Sequence, residues 1–204
     1  MSVGSWTLVA FSTAAAASAF AEELDRRWDG SVPVRLLGDA AGTLAAATGL
    51  VMATYTGVLV GATAIPAWSE NADLLPAHFG ASGLASAVSI LELFGRRDEG
   101  LNALGIGAAL AETAAGAAIE LTGKRALEPL KRGPSGWMVR AGGVLSGPVA
   151  LALRVLAGRN PALRRAAALS ALAGSLLTRL GWVAAGHASA RDPLPALSPA
   201  EPRA

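Results

Sequence analysis

Six long apolar stretches, parted by short loops that hold most of the charge, fill nearly all of this chain. They run Val3 to Ala21, Leu36 to Ile65, His78 to Gly95, Leu101 to Leu121, Gly136 to Ala157 and Ala166 to Ala188. A run of about 20 apolar residues matches the hydrocarbon thickness of a bilayer. Backbone polar groups in lipid must be satisfied within the spanning segment, and a helix does this alone. The pattern therefore predicts an all-α fold, a polytopic transmembrane helical bundle of about six spans. A soluble bundle would need polar outer faces. These segments are instead apolar or small nearly all round.

The loops between them have distinct characters. The first, Glu22 to Arg35, is charged; the second, Pro66 to Ala77, has no Lys or Arg but carries Glu70 and Asp73. The third holds Arg96, Arg97, Asp98 and Glu99, the fourth Lys124, Arg125, Lys131 and Arg132, and the fifth Arg159, Arg164 and Arg165. Odd-numbered loops share one side, and their basic residues slightly outnumber those opposite. The positive-inside rule then places the odd loops in the cytoplasm and the second loop, with both chain ends, on the far side. Residues 1–188 are read as one transmembrane domain. The Pro-rich tail, 189–204, is expected to be disordered. The N-terminal stretch has no Lys or Arg before Asp25, so it lacks a signal peptide's basic start and is read as a retained span.

Composition agrees with a membrane setting. Hydrophobic residues make up 52% of the 204, and charged residues only 16%, against about 25% in soluble domains. The net charge of +2 fits anchoring beside anionic lipid. No aromatic-studded basic face exists to stack bases, so nucleic acid is not an expected partner. The chain has no Cys and two His. Disulfides and thiolate ligands are thereby excluded. His78 and His187 are read as interfacial residues at a helix start and a helix end. No haem and no iron–sulfur cluster is expected in this chain.

Small residues and Trp give the packing. Gly57 and Gly61, and Gly143 and Gly147, are four apart; with Gly105, Gly107 and Gly116 they let helix backbones approach. Intramolecular packing is the preferred reading over a dimer face. Trp28, Trp137 and Trp182 are read as interfacial anchors, and Pro66 with Trp68 as the end of the second span.

Ionisable groups inside spans default to functional candidates. Glu112 lies midway along the fourth span and Arg179 inside the sixth. They could form an ion pair that fixes register, or part of a proton relay. Asp39 and Glu120 lie near span ends. Glu92 stands four before Arg96, a helical spacing that brings side chains together. Tyr55 is the only tyrosine, and its phenol needs a partner, either a neighbouring helix or a ligand carbonyl such as that of a quinone.

Several strings go further: Met1-Ser2-Val3-Gly4-Ser5-Trp6, Tyr55-Thr56-Gly57-Val58-Leu59, Thr63-Ala64-Ile65-Pro66-Ala67-Trp68, Arg140-Ala141-Gly142-Gly143 and Gly174-Ser175-Leu176-Leu177-Thr178-Arg179. In these the chain resembles the NrfD/PsrC family, the membrane subunits of polysulfide reductase-like complexes. The resemblance implies a haem-free bundle of eight helices, of which this chain matches the last six, beginning at the third. It implies a quinone/quinol-interacting membrane anchor subunit of an oxidoreductase in a bacterial inner membrane. The implied cofactor is a quinone or quinol, menaquinone or ubiquinone, contacted by Tyr55. The implied partners are membrane lipid, a four-cluster ferredoxin-like iron–sulfur subunit and a molybdopterin catalytic subunit. Any proton route would draw on Glu112, Asp39 or Arg179. A structural anchor without quinol activity and a small transporter-like bundle are the rival readings.

Overall fold

The computed structural model describes residues 2–27, 31–96, 98–122, 127–158 and 160–191. Every regular element among them is helical: α1 (Val3–Arg27), α2 (Val32–Gly61), α3 (Pro66–Ser69), α4 (Leu75–Leu93), α5 (Glu99–Leu121), α6 (Glu128–Lys131), α7 (Gly133–Val144), a π turn (Leu145–Val149), α8 (Ala150–Ala157) and α9 (Pro161–Ala190). The all-α bundle expected from the pattern is what forms. Five helical stretches are long and apolar enough to cross a membrane: α1, α2, α5, α7 through α8, and α9. The protein is thus a multi-pass membrane protein whose outer faces meet lipid. The sixth expected span, α4, has 19 residues but spends many of them on polar side chains, for a reason given below. Trp28 and residues 192–204 of the expected tail lie outside the described residues; Ser189 and Ala190 continue α9.

Contacts divide the chain into two compact units, residues 1–56 and 57–204. The first is an antiparallel helical hairpin, and its seam is written in small residues. Ser18 Oγ donates to the Gly38 carbonyl at 3.2 Å. A Cβ on Gly42 would meet Ser18, one on Gly49 the Phe11 ring, and one on Gly4 the Tyr55 ring. At the loop end Arg35 Nε meets Asp25 Oδ1 at 2.9 Å.

In the second unit, α4, α5, α7–α8 and α9 pack as four alternating helices. Their buried positions recur at spacings of three and four. In α4 these are Leu75, His78, Ser82, Ala85, Ser89 and Glu92. In α5 they are Gly105, Ala108, Glu112, Ala115 and Ile119. In α9 they run Arg164, Ala168, Ala171, Ser175, Thr178, Trp182, Ala185 and Ser189. A mean period of 3.5 keeps one seam facing its neighbours. The buried stripe is small or polar, while large apolar residues such as Leu104, Leu110, Leu169 and Leu176 point outward. That inversion of a soluble bundle suits lipid, where small residues permit close approach and polar residues bond across helices. It also explains α4: its polar residues occupy the buried stripe.

Local signals set the helix ends. Asp98 caps α5 by accepting from the Leu101 N–H at 2.6 Å. Asn160 caps α9 by accepting from Ala162 and Leu163, with Pro161 at the first turn, where its missing N–H costs nothing. Helix α2 stops at Gly61, four residues short of the expected Ile65. Pro66 does not end that helix but opens α3, again at a first turn. Beside α3, an apolar cluster of Leu75, Ile119, Leu127, Leu130, Trp182 and Ala185 closes one end of the bundle. Trp182 is only 2% exposed, so its reading as an interfacial anchor is corrected. Trp68 donates Nε1 to the Trp182 carbonyl at 3.0 Å. Trp137 is 67% exposed, as an anchor should be.

The opposite end of the unit holds a buried ion pair. Arg154 on α8 and Glu92 on α4 meet at 2.8 Å, and both side chains are 1% exposed. Arg154 NH2 also donates to Ser89 Oγ at 3.3 Å, and its guanidinium lies against Gly105, where a Cβ would collide with it. Glu92 therefore does not pair with Arg96. Helix α4 ends at Leu93, so the spacing of four does not hold there.

Candidate functional site

The residues singled out by sequence fall in both units. In the hairpin, Tyr55 is half-buried on α2. Its ring lies so close to Gly4 that a Cβ there would come within 2.8 Å of Cζ. Only glycine leaves room for the phenol in that position. No hydrogen bond to the Tyr55 hydroxyl exists among the described residues. Asp39 is exposed on the same helix, where a carboxylate reaches water or headgroups without a partner.

Glu112 and Arg179 belong to the second unit, and they differ from expectation. Glu112 is 3% exposed, whereas Arg179 lies on the exposed side of α9. No ion pair joins them within 4 Å among the described residues. Arg179 instead sits over the Phe79 ring, 5.9 Å from its centroid, and donates Nε to Ser175 Oγ at 3.3 Å. Ser86 Oγ donates to the same Ser175 Oγ at 3.2 Å. A hydroxyl has two acceptor lone pairs and one proton. With both lone pairs used, Ser175 gives its proton to Ser82 Oγ, 2.8 Å away. Ser82 lies beside the Glu112 carboxyl, as does Ser146, whose Oγ donates to the Gly142 carbonyl at 3.1 Å. Two hydroxyls thus stand between the guanidinium and the carboxyl. The sequence reading found both ends of this chain but not the serines. The signal was present in the spacing of Ser82, Ser86 and Ser89 along one helix.

Glu112 also borders a cavity of about 420 Å³ between α5 and α7. Its floor is formed by His78, Glu112, Thr178 and Trp182, and its walls by apolar groups such as Ile119 and Val139. His78 is 5% exposed, which corrects its reading as an interfacial residue; His187 is exposed. The ring stands 6.3 Å from that of Trp182. His78 Nδ1, Glu112 Oε2, Thr178 Oγ1 and Trp182 Nε1 are all buried without a hydrogen-bond partner. Four such atoms on one cavity floor are unusual, since buried polar groups are nearly always paired.

The helix on the cavity's far wall is deformed. Pro148 cannot donate its N–H, and a π turn accommodates it at Leu145–Val149, as is frequent at functional sites. Ser170 Oγ bonds the Leu145 carbonyl at 2.7 Å, which satisfies backbone at the bulge. At the rim, Glu120 of α5 pairs with Arg140 of α7. Among the described residues, no group of three or more His, Asp or Glu is placed to hold a metal ion.

The chain matches no protein-family model, no curated protein and no solved structure.

Proposed function

We propose that the protein is a quinone/quinol-interacting membrane subunit of a multi-subunit oxidoreductase, related to the NrfD/PsrC family. In this reading it passes electrons between a quinone or quinol in the bilayer and an iron–sulfur partner subunit, in a bacterial inner membrane. A molybdopterin subunit would carry the terminal chemistry. One observation carries it beyond the resembling strings. Gly4, from the first of those strings, and Tyr55, from the second, meet in the hairpin. Gly4 and Tyr55 are 51 residues apart in sequence, so their contact makes the two strings one local structure. It leaves the only phenol of the chain half-buried in an apolar helix, its hydroxyl without a partner among the described residues. A quinone carbonyl accepts the hydrogen bond that such a phenol offers.

The chemistry asked of Tyr55 is modest. It fixes the headgroup by one hydrogen bond, while the ring holds that donor in place against Gly4. A quinone, when bound, supplies the redox chemistry. The test is quinol-dependent reduction of the iron–sulfur partner in membranes containing the whole complex. Tyr55→Phe keeps the ring and removes the donor, and should weaken quinone affinity by about 0.5–1.5 kcal/mol. Gly4→Ala should weaken it too, by displacing the ring. Unchanged quinone affinity in Tyr55→Phe would remove Tyr55 from the site. A complex without any quinol-dependent activity would leave the structural-anchor reading.

A further inference from the structure

We infer that the cavity between α5 and α7 is a second, separate binding site, for a lipid-soluble molecule carrying a hydrogen-bond-accepting oxygen on an apolar body. This assignment does not rest on Tyr55 or on the quinol reading, because every residue that forms the cavity lies in residues 57–204.

Size, polarity and access each point the same way. A volume of about 420 Å³ falls within the roughly 300–1,000 Å³ of small-molecule sites. Apolar walls with a few convergent polar atoms are the usual make-up of such sites. The polar atoms define what the ligand must present. Trp182 Nε1 can only donate, and Thr178 Oγ1 can do so as well. Both are buried and unpartnered, and both side chains are at least nine-tenths buried. Leaving such donors unmet is costly. Each atom has almost no exposed surface, so a carbonyl oxygen at the floor satisfies them as the floor side chains turn toward it. Glu112 Oε2 and His78 Nδ1 flank that position and can accept from a hydroxyl on the same head.

Access is lateral. Gly116 on α5 and Gly143 on α7 both line the cavity, and nothing lies within 4 Å of a Cβ built on either. Glycines elsewhere in this unit, such as Gly142 and Gly174, are pressed against a neighbouring helix. Close packing therefore does not account for Gly116 and Gly143. Their missing side chains leave a slot between two membrane-spanning helices, its rim formed by the exposed residues Ala117, Val144 and Pro148. A ligand entering there comes from the bilayer. An ester carbonyl of a membrane lipid and the carbonyl of a lipid-soluble quinone share the required chemistry.

The experiment uses the purified full chain in detergent, with two probes measured separately by native mass spectrometry and equilibrium binding: decyl-benzoquinone and a short-chain phosphatidylcholine. The variants are Gly143→Leu, which fills the slot, Thr178→Val, which removes one donor at constant shape, and Tyr55→Phe. Saturable binding of either probe is expected, weakened roughly tenfold or more in Gly143→Leu. It should weaken by a smaller factor in Thr178→Val and remain unchanged in Tyr55→Phe. Leucine favours helix over glycine, so Gly143→Leu should melt no lower than the parent, which separates blocking from unfolding. Binding of the quinone alone or of the phospholipid alone would identify the source of the ligand within this proposal. No saturable binding of either probe, or equal binding by the parent and Gly143→Leu, would overturn it. Loss of quinol activity in Tyr55→Phe with this binding intact would leave both readings standing; full quinol activity in Tyr55→Phe with this binding intact would remove only the hairpin site, and binding lost in Tyr55→Phe would overturn the separateness of the cavity.

Discussion

A charge buried in a membrane bundle is tolerable only with its partner, and Arg154 shows how closely that is enforced. Its guanidinium meets Glu92 and Ser89 and takes the space that a side chain on Gly105 would fill. Removing one member of a buried pair leaves an uncompensated charge, which costs about 3–5 kcal/mol. Arg154→Met and Glu92→Gln should each lower the melting temperature strongly. The double variant should be more stable than the sum of the two losses implies, with a coupling of about 0.5–3 kcal/mol. Thermal unfolding of the four proteins in one detergent checks this, and additive losses would mean the pair is not energetically coupled. The same cycle on Glu112 and Arg179 should give a smaller coupling. Two serine hydroxyls stand between those groups, and Arg179 keeps access to its surroundings. Neither buried partner was legible in sequence as a pair. Glu92 and Arg154 each lie near a helix end, where a charge has an interfacial explanation, and Arg96 offered Glu92 a nearer partner. Only the fold, which carries the Arg154 side chain of α8 to Glu92 and Ser89 of α4, settles the choice.

Among helices, the determinant is where small residues fall on the seam. At the crossing of α7 and α9, a Cβ on Gly142 would meet the Thr178 backbone nitrogen at 2.6 Å and the Gly174 carbonyl oxygen at 2.8 Å. Backbone cannot step aside as a side-chain tip can. Gly142→Val should therefore destabilise the bundle by about 1–3 kcal/mol or more, whereas Gly143→Leu, one residue on, should not. Melting temperatures of the two variants test the contrast; a comparable loss in both would mean that the slot beside Gly143 is closed. Much of the fold at this scale is readable from the chain. Helix content and number follow from apolar run length, and the seams follow from small and polar residues three and four apart. What the run length hid is the function of each glycine. Gly143 and Gly147 look like one pair at a spacing of four, yet Gly147 packs on Thr113 while Gly143 faces open space. The π turn at Pro148 separates them, and a deformation of that kind depends on how neighbouring helices re-satisfy the backbone. Tyr55 was visible as a lone phenol, but its seat on Gly4 required two distant stretches to meet. The cavity left no sequence signature, because its polar floor comes from three helices and its mouth from absent side chains.

At the scale of the whole second unit, the two ends differ in chemistry, and this bears on how it sits across a membrane. Helix α4 has 19 residues, roughly 28 Å at about 1.5 Å per residue, close to the hydrocarbon thickness of about 30 Å. Asp73 precedes it and Glu99 follows it, so the two stand at opposite ends. The Glu99 end carries Arg96, Arg164 and Arg165, and Arg164 is held there by the Gly158 and Asp98 carbonyls. The Asp73 end carries a Lys/Arg-free loop with α3, and also the basic segment around α6, which looked out of place for an extracytoplasmic loop. Part of that basic character has a structural use. Lys131 donates to the carbonyls of Glu120 and Thr122, and so satisfies groups that the end of α5 leaves unpaired. A lysine recruited to a helix C-terminus is explained without reference to orientation. By the positive-inside rule the remaining asymmetry predicts a cytoplasmic Glu99 end. Alkaline phosphatase fused at Asp73 in a bacterial host should therefore be active, and the fusion at Glu99 inactive. Equal activity at both positions would mean that α4 does not cross the membrane, even though α5, α7 through α8 and α9 can. Activity at Glu99 alone would keep the span and reverse the bundle, putting the Glu120–Arg140 rim of the cavity on the cytoplasmic side.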